Sequence, residues 1–264
     1  MKKFIIFLLI MLIMLNQTVF AGLYYFDIYN HWAEEYIYWS TNDVKIFKGY
    51  EDGSFRPEKS ITRAEFITIL FRAAYDRELI NEVYETNMIY NDFTIEHWAY
   101  TYVISMREYI NSRSLGYLFE DIFQGDIFIP DKPITREEAI ALAVAFSAPA
   151  LTDEVPTFID IDSTYKYLEE IIKLYNNGII LGYEDNTVRV NANITRAESA
   201  TIISRIHDDM KYSKDTYLNG LEFLTLNGEE IFSMFGNYDY DNLTEMDKKY
   251  IKVKNTLEYT SFGG

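Results

Sequence analysis

The string Ile-Thr-Arg-x-Glu occurs three times, at Ile61 to Glu65, Ile134 to Glu138 and Ile194 to Glu198. Its arginines, Arg63, Arg136 and Arg196, have the type and placement to hold an anion. Each stands at the first position of a helix, where a cation faces the positive end of the helix dipole and is mildly disfavoured. A guanidinium can clamp a carboxylate in two hydrogen bonds, and the backbone N–H groups of a helix start can add more. A surface ion pair with a neighbouring acid is the alternative. The flanking residues have a structural explanation. Thr62, Thr135 and Thr195 as N-caps, with Glu65, Glu138 and Glu198 three residues on, form capping boxes, each worth about 1 kcal/mol.

Upstream of each string lies an aromatic-x-Asp element: Tyr25-Phe26-Asp27, Tyr90-Asn91-Asp92 and Phe158-Ile159-Asp160. Asp27, Asp92 and Asp160 can cap the helix that follows. Trp32 and Trp98 stand near helix starts, as core residues or as platforms on which the C–H face of a sugar stacks. Tyr165 takes the third such place. His31 and His97 precede the tryptophans without a metal-ligand partner at helical spacing and read as structural. Gly49 and Gly182 serve either a tight turn or a close backbone approach to a ligand. Asp27 with Glu65 is the acid pair that could hydrolyse a glycoside. Glu65 is already explained by its cap, and no G-x-S-x-G, H-E-x-x-H or P-loop string occurs. No catalytic residue is assigned, and the expectation is a protein that is not an enzyme.

The spacing shows which elements must position these residues. Asp27 precedes Thr62 by 35 residues, as Asp160 precedes Thr195; Gly49 and Gly182 stand 13 ahead of their threonines, Trp32 and Tyr165 30 ahead. In the middle copy Asp92 precedes Thr135 by 43 residues, the surplus falling between Gly116-Tyr117 and Phe128-Ile129-Pro130 as a loop insertion. Each copy reads as helix, loop, helix. The first helix starts near Trp32, Trp98 or Tyr165 and ends before Gly49, Gly116, and Gly178 or Gly182. The Asp52-Gly53 turn recurs as Asp185-Asn186, asparagine being the next best residue at positive φ. In the second helix Ile69, Leu70 and Ala73, then Leu142, Ala143 and Phe146, then Ile202, Ile203 and Ile206 form one apolar face of helical period. Such a face needs neighbours to bury it, so the three copies are expected to pack as one pseudo-threefold, mainly α unit.

The whole chain of 264 residues has 24 Lys plus Arg against 41 Asp plus Glu, a formal charge of -17. That disfavours a nucleic-acid partner, which is held by neutralising phosphates. The absence of cysteine excludes a disulfide framework, a thiolate zinc site and a cysteine nucleophile, and three histidines leave little for imidazole chemistry; no metal or cofactor is expected. Aromatics reach 17%, more than a small core needs. Lys2 and Lys3, twelve apolar residues from Phe4 to Leu15 and Val19-Phe20-Ala21 read as a secretory signal peptide, too short for an anchor that spans a bilayer. Its removal takes the charge to -19 and leaves no membrane partner.

The combination of aromatic-x-Asp, His-Trp-Ala, Gly-Tyr-x-Asp-Gly-x-Phe-x-Pro and Ile-Thr-Arg-Ala-Glu, nearly complete in the first copy, resembles the S-layer homology repeats of bacterial cell-surface proteins. The third copy has Tyr165, Asn186, Val188 and Val190 where the pattern has Trp, Gly, Phe and Pro; the middle one lacks the compact glycine loop. The resemblance implies a signal peptide at 1–21, repeats at 22–84, 85–150 and 151–212, and a tail at 213–264. In the tail Asn219-Gly220 and Asn227-Gly228 between apolar runs signal a small β element, the alternative being a partly ordered segment. It also implies a three-pronged spindle, secreted to the wall or S-layer surface, anchoring non-covalently to secondary cell wall polysaccharide, often pyruvylated, in grooves between repeats. Arg63, Arg136, Arg196, Trp32, Trp98, Asp27, Asp92, Asp160, Gly49 and Gly182 would line those grooves, with the aspartates accepting sugar hydroxyls. Peptidoglycan and other surface proteins are the alternative partners, the latter in a lattice role. A chain of charge -19 can still catch an anionic polymer, because charges are screened beyond about 8 Å and a groove arginine acts locally. Arg63 is expected to bind most strongly, its repeat being the most complete.

Overall fold

A computed structural model describes residues 24–84, 90–113, 115–148 and 154–218. Among them are seven α-helices and no extended strand. They are α1 (Glu34–Tyr38, continued as a π turn Trp39–Asp43), α2 (Arg63–Asp76), α3 (Tyr100–Ser112), α4 (Phe119–Ile122), α5 (Arg136–Ala143, continued as a 3-10 turn Val144–Phe146), α6 (Leu168–Asn176) and α7 (Arg196–Leu218). The fold is mainly α, and the first helices begin within a few residues of Trp32, Trp98 and Tyr165. No helix among the described residues is long and apolar enough to cross a membrane. The leader at 1–21 and the hairpin signals at 219–228 lie outside the described residues. Residues 213–218, expected in the tail, continue α7.

The helices α2, α5 and α7 converge at their N-termini, where their preceding segments close a ring. Ile61 N–H donates to the Ile194 carbonyl at 3.2 Å, Ile194 to Ile134 at 3.2 Å, and Ile134 to Ile61 at 3.0 Å. Isolated antiparallel bridges link the same three segments. The three isoleucines are buried, each worth about 1.5–3 kcal/mol of apolar transfer. The predicted faces of α2, α5 and α7 are buried as well, from Ile69 to Ile206. The helices therefore share one core, as three apolar faces with nowhere else to go require.

The ring also settles the orphan amides with which every helix begins. Arg63 and Ala64 donate to the carbonyls of Lys132 and Pro130, Arg136 and Glu137 to Ala192 and Val190, and Arg196 and Ala197 to Lys59 and Pro57. The third amide of each goes to the threonine hydroxyl, at 3.2, 3.3 and 3.1 Å. Glu65, Glu138 and Glu198 return the bond to the threonine N–H at 3.0, 3.1 and 2.8 Å. All three capping boxes are present. Each helix start is thus capped by the loop of another segment, in a closed cycle.

Two expectations are corrected. The first helix of the first segment, with its π turn, ends at Asp43, and the left-handed residue beyond it is not Gly49 but Lys45, which takes φ +56 at the place where the third segment has Gly178, φ +70. The surplus of the middle segment is more than a loop. It contains α4, whose Phe119 and following Phe123 are buried against Phe128.

Candidate functional site

The loops that cap the neighbouring helices are themselves latched by the aromatic-x-Asp elements. Asp27 accepts N–H bonds from Phe55 (2.8 Å) and Arg56 (2.7 Å). Asp92 does so from Phe128 and Ile129, both at 2.7 Å, and Asp160 from Val188 (2.9 Å) and Arg189 (2.7 Å). Arg56, Ile129 and Arg189 all have positive φ, +58, +52 and +53, a conformation that costs a side-chain-bearing residue roughly 1–2 kcal/mol. The carboxylate latch offsets that cost. The reading of these aspartates as caps of the following helix is therefore corrected: each holds a loop 28 or more residues away. In the Asp27 and Glu65 pair, both acids are engaged by backbone amides.

Gly49 and Gly182 belong to the same packing. A Cβ on Gly49 would lie 2.0 Å from the Tyr25 ring, and one on Gly182 2.5 Å from the Phe158 ring. The aromatic of each aromatic-x-Asp element fills that space, so close approach is what these glycines permit, toward the ring. Next to them the turns match: Gly53 has φ +80 and Asn186 φ +59. Asp52 and Asp185 are both held at about 2 by hydrogen bonds, from Ser54 and then Arg56 in the first, from Thr187 and then Arg189 in the second.

His31 and His97 are helix-start caps, each accepting through Nδ1, from Ala33 N–H at 3.1 Å and Ala99 N–H at 3.2 Å. The Nε2–H of His31 consequently faces Glu58, 2.8 Å away. Trp32 and Trp98 are 59% and 57% exposed, which removes them from the core. Tyr165 is half-buried, its hydroxyl donating to Glu137 at 2.5 Å.

A groove of about 900 Å³ runs between the three segments, with Trp32 from the first, Arg136 from the second, and Gly182, Tyr183 and Arg189 from the third among its lining residues. Arg136 is 6% exposed and loosely held. Its Nη1 stands 3.5 Å from both the Tyr183 hydroxyl and Glu198 Oε1, and its buried Nε has no hydrogen-bond partner among the described residues. A buried donor without a partner costs roughly 1–3 kcal/mol. The Tyr183 ring lies under two guanidiniums, Arg189 at 3.9 Å and Arg136 at 5.1 Å from its centroid, while burial pushes its hydroxyl up to about 12. On the far wall Arg205 reaches the Ile179 carbonyl and the Tyr36 hydroxyl, both at 3.3 Å.

The other two arginines sit differently. Arg196 donates from Nε to the Phe55 carbonyl at 2.8 Å and from Nη2 to Lys48 at 2.7 Å, stacked among Phe47, Tyr50 and Phe55; burial pulls its pKa down. Arg63 is clamped by Glu138 and the Phe128 carbonyl. The expected contribution of free helix-start amides to an anion site is corrected for all three, because those amides are spent on the ring. Sequence reasoning used Tyr50 and Tyr183 only as spacing marks and passed over Arg189 and Arg205; their recurrence as Arg56 and Arg72 at the same registers was the available signal.

Residues 25–67 and 157–200 match the S-layer homology domain. The matched stretches are the first and third segments, whose loops share one turn geometry; the middle segment, rebuilt around α4, is not among the matched residues. Over 167 residues, 61% of its length, the chain is 31% identical to the cellulosome-anchoring protein of Acetivibrio thermocellus, 35% of which is covered. It is 29% identical over 171 residues, 63% of its length, to the surface-layer 125 kDa protein of Lysinibacillus sphaericus, 13% of which is covered. It is 28% identical over 185 residues, 67% of its length, to an amylopullulanase of Thermoanaerobacterium thermosulfurigenes, 9% of which is covered. The chain thus spans about a third or less of the length of these relatives.

Proposed function

We propose that this chain is a non-catalytic anchor of the bacterial cell surface that holds an acidic wall polysaccharide, pyruvylated sugars being the expected carriers of the charge, in the groove between Trp32, Arg136 and Tyr183. The observation that carries this reading is Arg136: a buried guanidinium with an unpartnered Nε, on a groove rimmed by an exposed tryptophan. A carboxylate supplies the acceptor that the guanidinium lacks, and Trp32 offers a face to the sugar ring. Arg196, with no carboxylate pairing it among the described residues, offers a second place of the same kind. The middle segment serves as a third S-layer homology repeat, since it supplies Arg136 and one side of the ring. The relatives support anchoring rather than catalysis. Proteins named for anchoring, for a surface layer and for an enzyme are each similar to this chain over about a third or less of their own length, which favours a shared attachment role over a shared catalysis.

The test is co-sedimentation of residues 22–264 with wall sacculi of the native host, before and after mild acid has removed the non-peptidoglycan polysaccharide. Retention that disappears on stripping supports the glycan anchor. Retention that survives assigns the partner as peptidoglycan, and no retention on either preparation moves the partner to a surface protein.

A further inference from the structure

Arg63, Arg136 and Arg196 hold equivalent places, yet among the described residues only Arg63 has a carboxylate hydrogen-bonded to its fork. Glu138 gives one oxygen to Nη2 and the other to Nε, the latter at 3.3 Å, while Nη1 donates to the Phe128 carbonyl. The side chains are 8% and 9% exposed, and the Phe123 ring lies 4.9 Å from the guanidinium carbon. At the equivalent place Glu198 is engaged by the Tyr183 hydroxyl and stays 3.5 Å from Arg136. Arg196 has no carboxylate partner among the described residues.

The middle segment differs from the third in what holds the acid. Tyr183 stands twelve residues ahead of Thr195 and its hydroxyl reaches Glu198; Tyr117 stands 18 ahead of Thr135, and its hydroxyl donates to the Ala141 carbonyl at 2.9 Å instead. Among the described residues no phenol hydrogen-bonds Glu138, and its carboxylate lies on the Arg63 fork. The inserted residues after Gly116 then bring Phe123 over the pair. A carboxylate of an acidic ligand would have to displace one that is tethered, already desolvated and covered by a ring. Tethering gives Glu138 an effective concentration in the millimolar range or above.

We propose that Glu138 is a resident carboxylate that occupies the anion position beside Arg63 and closes that groove, so that an acidic wall ligand is held at Arg136 and Arg196 but not at Arg63. This rests on the reading of the arginine grooves as ligand sites. The inverted ranking follows: the arginine of the most complete repeat is the one withdrawn from binding.

The probe is a methyl glucoside carrying a 4,6-pyruvate ketal, with methyl glucoside as the neutral control, and the readouts are the arginine Nε–H signals in nitrogen-15 spectra and the number of sites by calorimetry. In the wild-type chain the Arg136 signal is expected to shift with the ketal and the Arg63 signal to stay in place. Glu138→Gln keeps the capping box, which accepts glutamine at that position, but removes the charge from the fork; the Arg63 signal should then respond and the number of sites rise by one. Arg63→Met with Glu138→Gln should return the number to the wild-type value. A wild-type Arg63 signal that shifts with the ketal overturns the inference, as does a Glu138→Gln chain that gains no site while Arg136 still responds. If no arginine signal moves and no heat is released in either chain, the groove reading itself falls, and the inference with it. Should Glu138→Gln fail to fold, the wild-type spectrum decides alone.

Discussion

Replacing Asp27 with alanine separates a loop latch from a ligand contact. The carboxylate accepts from Phe55 N–H at 2.8 Å and Arg56 N–H at 2.7 Å. Hydrogen bonds to a charged group contribute about 1.5–3 kcal/mol each, but Arg56 N–H lies at the surface, where water replaces the lost acceptor. Phe55 is buried, so its amide is left short of a partner, and Arg56 keeps its positive φ without support. The expected loss is about 2–4 kcal/mol, which for a domain of this size lowers the unfolding midpoint by roughly 5–15 °C. Thermal unfolding followed by circular dichroism measures it. Asp160→Ala should give a similar loss, since its two bonds are 2.9 and 2.7 Å. Well below the midpoint both variants should still sediment with sacculi. An Asp27→Ala chain with an unchanged midpoint and no retention would refute the latch and make Asp27 a ligand residue.

Arg63→Ala leaves Glu138 buried without its partner and should cost about 3–5 kcal/mol, whereas Arg136→Ala removes 3.5 Å contacts and the packing on the Tyr183 ring but leaves Glu198 held by the Tyr183 hydroxyl and the Thr195 N–H, and should cost less, about 1–3 kcal/mol; equal losses in urea unfolding would contradict the assignment of the two sites. Gly49→Ala places a Cβ 2.0 Å from the Tyr25 ring and should destabilise by about 1–3 kcal/mol or more, read as a lower urea midpoint; a neutral Gly49→Ala would show that the ring can move aside. His207 accepts from Arg77 Nη2 at Nδ1 (3.0 Å) and faces Asp76 with Nε2 (2.9 Å), with Trp39 packed edge-on. Arginine can only donate, so the imidazole is neutral in the fold, and burial pushes its pKa below 6.5. The unfolded chain therefore takes up the proton first. The stability carried by His207 is complete above about pH 6.5 and declines as the pH falls below it. His207→Gln should flatten that part of a stability-against-pH curve, and an unchanged slope would place the titration elsewhere.

The helical elements and their caps were legible because their causes are local. A threonine followed three residues later by glutamate can satisfy its amides in one way, and a 3.6-residue apolar period buries one face. The ring at Ile61, Ile134 and Ile194 was legible only as a need for partners, since which carbonyl meets which amide depends on residues sixty or more positions apart. A separation of 28 or more residues likewise hid the role of the aspartates. Asp27 looks like a cap for the helix beside it and instead holds Phe55 and Arg56, because the loop must return to cap α7. The arginines show most clearly what type and spacing leave open. Arg63, Arg136 and Arg196 are equivalent in sequence, and their different availability is decided by Glu138, Tyr183 and Phe123, none of which is adjacent to the arginine it controls.

The central claim is that the Arg136 groove takes an acidic wall glycan, and Arg136→Gln on unstripped sacculi tests it most directly. The substitution removes the charge from the groove and leaves both the ring and the capping boxes in place. Loss of a charge-assisted pair should weaken retention about tenfold or more, with the unfolding midpoint close to that of the unaltered chain. Unchanged retention of a folded Arg136→Gln chain would contradict the account.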